Sequence, residues 1–296
     1  MLKTAKSMKI LIIGANGMIG SAMFKHFSSK HEVFGTLKGS YDEYNLKCYK
    51  NIFQNIDLKN LKDLKTIITK ILPHVVLNCS GIIKQKSNQF SIDEHKYLNS
   101  EVPFLISRIC SKNNIRLINF STDCVFNGEK GSYNDNDLPD ATDIYGISKA
   151  NGELKKPNCL TIRTSTIGLE TQNSHGLIEW FLKQGGRTIQ GYDNAIYSGL
   201  TTKELALYLE HILVNFPKLS GLYNMASKKI SKYKLLSILS EKIEYCTIMI
   251  EKNTDFISDR SLNGSCLDSI TKFQASSWDI MLSDLASEIN YRNQNE

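Results

Sequence analysis

No apolar run in this chain approaches the roughly 20 consecutive residues that a membrane-spanning helix requires. The longest near the start, Ile10 to Ile13, is stopped by Gly14. The basic opening Met1 to Lys9 has neither an adequate apolar core nor a small-residue cleavage site behind it, so it does not read as a secretory signal. Close cysteine pairs are missing too: Cys48, Cys79, Cys110, Cys124, Cys159, Cys246 and Cys266 are scattered and odd in number. That argues against a disulfide scaffold and a cysteine zinc site, and makes a reducing cytosol the simplest home. His26, His31, His74, His95, His175 and His211 show no metal-ligand spacing, so no metal is expected. Internal repeats and low-complexity tracts are absent. The net charge of +6 comes from basic residues spread along the chain, which argues against nucleic acid and favours a solvated surface that helps small anions.

What is present suits an ordered α/β protein. The 296 residues, 41% of them hydrophobic, suffice for one large domain or two smaller ones. Residues 1–7 read as a disordered extension. Lys9 to Ile13 is a short apolar strand ending in glycine, and Ser21 to Phe27 continues in helical pattern. Strands are expected at His31 to Leu37, Val75 to Cys79, Arg116 to Phe120 and Cys159 to Ile167. Helices are expected at about Leu61 to Leu72 and Val102 to Lys112, and a polar loop, Asn127 to Asp143, leads to Tyr145. This alternation predicts a Rossmann-type doubly wound parallel sheet with its ligand at the carboxyl ends of the strands. Beyond Ile167 the pattern weakens, and Gly176 to Tyr192 is expected to begin a smaller substrate-binding part. Thr201 to Leu213 and Lys232 to Ile243 read as amphipathic helices around a short strand, Leu222 to Met225.

Two constellations carry chemistry. Gly14, Asn16, Gly17, Met18, Ile19 and Gly20 form a loop with glycines three apart, directly after the first strand and opening a helix. Such a turn lets the backbone approach a pyrophosphate, which the helix N-terminus favours electrostatically. Near the end of the second strand, where an acid would hold an unphosphorylated ribose, stands Lys38, which suits a 2′-phosphate or else merely solvates a loop. NADPH is therefore expected over NADH. The second constellation is Tyr145 and Lys149, four apart on one helical face, preceded by Ser121-Thr122-Asp123. Tyr145 is the candidate proton donor to a ketone, Thr122 a hydroxyl that polarises the same oxygen, and Lys149 a cation expected to lower the phenol's pKa and hold the nicotinamide ribose.

With these motifs the chain resembles the extended short-chain dehydrogenase/reductase superfamily, and within it the dTDP-4-dehydrorhamnose reductase-like group. The likeness rests on Gly14 to Gly20, Asn78 to Gly81, Ser121 to Gly128, Tyr145 to Lys149 with Gly152-Glu153, and Ile162 to Ser165. Weaker stretches at Gly199 to Thr201, Gly221 to Tyr223 and Asp259 to Leu262 extend it nearly to the end. The resemblance implies reduction of the 4-keto group of a nucleotide-linked 6-deoxyhexulose, for activated deoxysugar and surface polysaccharide. It implies catalysis by Thr122, Tyr145 and Lys149, and Asp123 placed beside the substrate. It also implies cofactor contacts from Leu58, Cys79, Ser80 and Gly81. Interleaved domains follow: 8–167 nucleotide-binding, 198–240 returning to it, and 168–197 with 241–296 for substrate. Cys124 departs from the family's usual Tyr, and Gly81 to Gln85 from its usual loop, so the sugar itself does not transfer.

The substrate's diphosphate needs cationic partners, for which Arg187 and Arg260 are candidates, with Lys84 in the departing loop as a further substrate contact. Trp180, Phe181 and Tyr192 offer either stacking or packing. No membrane is expected as a partner, and a homodimer is allowed. The competing readings are a nucleotide-sugar epimerase or dehydratase that retains and recycles its cofactor, and a non-catalytic NADP-binding regulatory subunit.

Overall fold

The computed structural model describes residues 7–40, 51–171 and 175–295. Residues 1–6 of the expected N-terminal extension lie outside the described residues, as does Cys48. Among the described residues the strands are β1 Lys9–Ile13, β2 Glu32–Thr36, β3 Ile52–Phe53, β4 Val75–Asn78, β5 Arg116–Thr122, β6 Cys159–Thr164, β7 Thr166–Ile167, β8 Thr188–Tyr192, β9 Ala195–Tyr197, β10 Leu200–Thr201, β11 Gly221–Asn224, β12 Ile230–Ser231, β13 Met249–Asn253 and β14 Ser258–Asp259. Seven form one sheet in the order β11-β6-β5-β4-β1-β2-β3, every neighbouring pair parallel. This is the expected doubly wound sheet, with β11 added outside β6.

The continuous apolar runs of the central strands follow from burial on both faces. Ile10 and Ile12 of β1 join one core cluster with Phe24 and Phe27, while Leu11 and Ile13 join another with Leu64, Ile68 and Ile106. Helix Leu61–Ile71 shows why such a layer forms: Leu64, Ile67, Ile68 and Ile71 recur at helical spacing and are its buried residues. Asn60 caps it by accepting from the Lys62 N–H, and the left-handed Leu72 ends it before Pro73. Truncating any one of these buried aliphatic side chains to Ala costs about 2–5 kcal/mol.

After β6 the chain leaves the sheet, builds β7 to β10 and helix Thr202–Asn215, and returns as β11 with Gly221 opposite Leu160. Three small sheets lie outside the large one: β10-β7 within the excursion, and β12-β9-β14 and β13-β8, which strands following β11 complete. The C-terminal helix Trp278–Asn295 buries Met281, Leu282, Leu285 and Ile289.

Candidate functional site

The glycine turn sits where β1, β2 and β4 end. Gly14 has φ +78°, the Gly17 N–H returns to its carbonyl at 3.2 Å, and the Ala15 N–H bonds the Thr36 carbonyl at 3.0 Å. A Cβ on Gly20 would overlap the Gly14 carbonyl oxygen, so only glycine lets helix Met18–Ser28 start this close to the strand. That helix has Gly17 at its cap, no capping side chain and no acid in its first turn. Its first amides are thus free of a side-chain cap, and the cradle fits a pyrophosphate on the helix dipole. Asn16, Met18 and Ile19 are half-buried around this turn, and the Asn16 carbonyl accepts from Thr171 at 2.8 Å. Lys38 is exposed just beyond β2. Leu58 is half-buried, its carbonyl accepting from the Tyr97 hydroxyl at 3.1 Å.

Cys79, Ser80 and Gly81 leave β4 and close the cleft between the two constellations. A Cβ on Gly14 would lie 3.2 Å from Ser80 Cα, and one on Gly81 would lie 4.0 Å from Lys149 Nζ. The glycine turn and the Tyr-Lys helix thus meet across this single loop. Asn99, which the sequence does not single out, holds it: its Oδ1 accepts from the Ile82 N–H at 2.9 Å and its Nδ2 donates to Ser148 at 3.1 Å. Asn99 stands in a π-helical turn, Lys96–Glu101, that breaks the helical run between Ile92–His95 and Val102–Lys112. Such a turn is a frequent mark of functional sites. Two polar residues, Asn99 and Ser100, in a buried helical position were the available signal.

β5 runs through Thr122, two residues past the expected end, so Thr122 is held rigidly at its carboxyl tip. Its hydroxyl accepts from the Cys124 N–H at 3.1 Å and donates to Asp123 at 3.0 Å. Helix Ile144–Asn151 starts at Asp143, whose side chain accepts from the Gly146 N–H at 2.9 Å. A Cβ on Gly146 would strike the Cys124 carbonyl, so glycine permits the helix to bring Tyr145 against this turn. Lys149 donates to the Phe120 carbonyl at 2.6 Å.

The electrostatics of the pair differ from the sequence expectation. Burial pushes the Tyr145 phenol up, Cys124, Asp123 and Asp143 add to this, and only the Thr122 hydroxyl pulls it down. The Lys149 ammonium donates to the Phe120 carbonyl and sits in the fields of Glu153 and Cys79. Burial lowers Lys149 itself to about 8, against the opposing field of Glu153. Cys124 is likewise pushed up by burial to about 12, which keeps it a thiol and not a nucleophile.

The lowered lysine makes a measurable demand. Its folded value, about 8, lies below the ordinary 10.5, so between these the unfolded chain holds more protons and stability rises with pH. Buried cysteines and phenols oppose this in wild type and in Lys149→Met alike. The difference in unfolding free energy between the two proteins should therefore climb from pH 8 to 10 in denaturant titrations. A flat difference would mean that Lys149 keeps its ordinary value.

Lys84 pairs with Asp143 at 3.2 Å, and Arg260 donates to the Phe126 carbonyl at 2.9 Å; both act electrostatically on Cys124 and Asp143. Asp123 is buried beside Thr122. Arg187 stands exposed just before β8, its carbonyl accepting from the Met249 N–H at 3.0 Å. Phe181 is buried core, Trp180 is exposed, and Tyr192 lies against Phe256 with ring centroids 5.3 Å apart. Sequence reading also missed a buried ion pair. Arg163 and Glu153 join at 2.7 Å through both Nε and Nη2, and Ser121 donates to the same carboxylate at 2.8 Å.

Sheet order, glycine turn and the Tyr-Lys helix meeting it at the Cys79–Gly81 loop define a Rossmann-type α/β protein of the extended short-chain dehydrogenase/reductase class. Within that class the chain belongs to the family described as RmlD substrate binding domain, whose model matches residues 8–244. Methionine adenosyltransferase 2 subunit beta of Danio rerio is 27% identical over 148 residues, 49% of this chain and 42% of that protein. The matched part thus spans less than half the length of that relative. dTDP-4-dehydrorhamnose reductase of Aggregatibacter actinomycetemcomitans is 24% identical over 232 residues, 74% of each chain. The crystal structure of dTDP-4-dehydrorhamnose reductase from Bacillus anthracis in complex with NADP superposes with a TM-score of 0.78 at 18% identity, covering 95% of this chain and 99% of the other. Among the described residues no helix is long and apolar enough to cross a membrane.

Proposed function

We propose that the chain is an NADPH-dependent reductase of the 4-keto group of a nucleotide-linked 6-deoxyhexulose, a dTDP- or UDP-sugar, in activated deoxysugar synthesis. The observation that carries this reading is the meeting of an uncapped glycine turn with Tyr145, Thr122 and Lys149 around one loop. The turn Gly14 to Gly20 would hold the pyrophosphate, Lys38 the 2′-phosphate, Leu58 the adenine, and Lys149 with Cys79 to Gly81 the nicotinamide ribose. When bound, the reduced nicotinamide supplies hydride to the ketone carbon. Thr122 and Tyr145 bind the ketone oxygen, and Tyr145 gives it a proton as charge develops. Asp123 orients the sugar ring, while Arg260 and Lys84 face its diphosphate. The relative from Aggregatibacter actinomycetemcomitans and the NADP complex from Bacillus anthracis support the same assignment.

The test is NADPH oxidation against a panel of dTDP- and UDP-linked 4-keto sugars, with products identified by NMR. Net consumption is expected; no consumption on any member would overturn the reading. Lys38→Glu should raise the KM for NADPH about tenfold while sparing NADH, the equivalent of about 1.4 kcal/mol for the lost phosphate contact. Equal effects on both cofactors would remove Lys38 from the site. A second reading, a non-catalytic NADP-binding subunit, draws on the relative from Danio rerio, which is named as a subunit. A stoichiometric copurifying protein, with no turnover of any 4-keto sugar nucleotide, would favour it.

A further inference from the structure

The glycine turn is not held by its own residues alone. Both polar groups of the Asn16–Gly17 peptide are engaged: its N–H, on Gly17, donates to the Gly14 carbonyl at 3.2 Å, and its carbonyl, on Asn16, accepts from the Thr171 hydroxyl at 2.8 Å. A planar peptide bonded on both sides has its orientation fixed. The next amides along the chain, those of Met18 and Ile19, open helix Met18–Ser28, so their direction follows from that plane. Thr171 reaches the turn from 155 residues further along, after β7.

Thr171 is anchored in its turn. Its neighbour Glu170 is tied through backbone and side chain alike: the Glu170 N–H donates to the Glu179 carboxylate at 2.9 Å, and the Glu170 carboxylate accepts from the Gly176 N–H at 2.6 Å. Glu179, in the short helix Leu177–Leu182, is 7% exposed, and Arg292 of the C-terminal helix donates to both its oxygens, at 2.7 and 3.3 Å. An unbroken series of contacts therefore runs from the C-terminal helix through Arg292, Glu179, Glu170 and Thr171 to the turn. The Thr171 hydroxyl has a single proton, which Asn16 receives, and its remaining lone pairs would repel an anion. Thr171 thus acts through the peptide and not on a phosphate.

Resting on the pyrophosphate reading of the glycine turn, we propose that Thr171 is a positioning residue for the dinucleotide: its hydroxyl fixes the Asn16–Gly17 peptide, and with it the aim of the amides that receive the pyrophosphate, while Glu179 and Arg292 hold Thr171 in place. The C-terminal helix then sets cofactor affinity from the far end of the chain. NADPH and NADH share the pyrophosphate, so the effect is equal on both, unlike that of Lys38.

The experiment measures Kd for NADPH and for NADH, by the fluorescence of the reduced nicotinamide, in wild type, Thr171→Val, Thr171→Ser and Arg292→Met. Valine keeps the shape of threonine without the proton, and serine keeps the proton without the methyl group. Thr171→Val should weaken both cofactors about threefold, the effect of one lost hydrogen bond, while Thr171→Ser should bind them as wild type does. A side chain that merely packed would give the opposite order. Arg292→Met should weaken both cofactors too, and combined with Thr171→Val it should add little, because the two act along one route. Unchanged affinity in Thr171→Val, an effect on one cofactor alone, a Thr171→Ser variant no better than Thr171→Val, or full additivity of the combined pair would each overturn the proposal while leaving the pyrophosphate reading intact. A wild type that binds neither dinucleotide would overturn both.

Discussion

Tyr145→Phe should bind NADPH as wild type does and lose turnover by roughly a factor of 10² to 10⁴, the usual contribution of a positioned proton donor. The substitution removes one oxygen and leaves the ring that packs against the Cys124 turn. A phenol pushed upward by burial is no obstacle to this role. An alkoxide is a stronger base than a phenolate, so in the reducing direction the proton passes downhill from a neutral Tyr145. The raised value hinders only the reverse reaction, which needs a phenolate to start. Reduction should accordingly stay level across neutral pH while oxidation of the product alcohol climbs steeply into alkaline solution. Near-wild-type turnover of Tyr145→Phe, measured by NADPH absorbance, would take the proton donor away from Tyr145.

The largest stability effect should come from Arg163→Met. Arg163 is 1% exposed and bonds Glu153 twice at 2.7 Å while its Nη1 reaches the Asp135 carbonyl at 3.1 Å. Its guanidinium also lies 5.0 Å from the Phe126 ring centre. Removing it leaves a buried carboxylate with only Ser121 beside it, a loss of about 3–5 kcal/mol. For a chain of this size that lowers Tm by roughly 10 °C. Glu153→Leu added to Arg163→Met should restore much of the loss, because an apolar pair carries no desolvation penalty. If the single variant melts with wild type in calorimetry, the pair contributes nothing to holding β6 against the helix that bears Tyr145.

The alternation of short apolar strands and amphipathic helices was legible because parallel strands buried on two faces leave no choice of residue type. Ile10 to Ile13 feed both layers, and the sequence shows it directly. The helix predicted at Val102 to Lys112 has those bounds. What was hidden lies where tertiary contacts, not periodicity, decide. β8 and β13 pair although some 60 residues separate them; β8 buries alternate positions, but one of the two is Gly191, so its sequence shows Ile189 alone. The glycine turn and the Tyr-Lys spacing could be found because backbone approach and helical facing leave a local trace. Asn99 leaves only a polar pair within a helical run, and the Arg163–Glu153 pair leaves no trace, each being defined by partners ten or more residues away. The same limit explains the misjudged phenol. Spacing places Lys149 near Tyr145, and only coordinates reveal how deeply the phenol is buried, which is what raises it.

The late arrival of β11 beside β6 has a bearing on how the molecule assembles. Until residues past the excursion are in hand, β6 is a bare border whose unpaired amides invite any extended strand, including that of another copy. A nascent chain must therefore keep that border guarded while the whole excursion emerges. Cutting the chain after β6 would take β11 away and leave that border open, so the strands up to β6 are a sheet missing its last member.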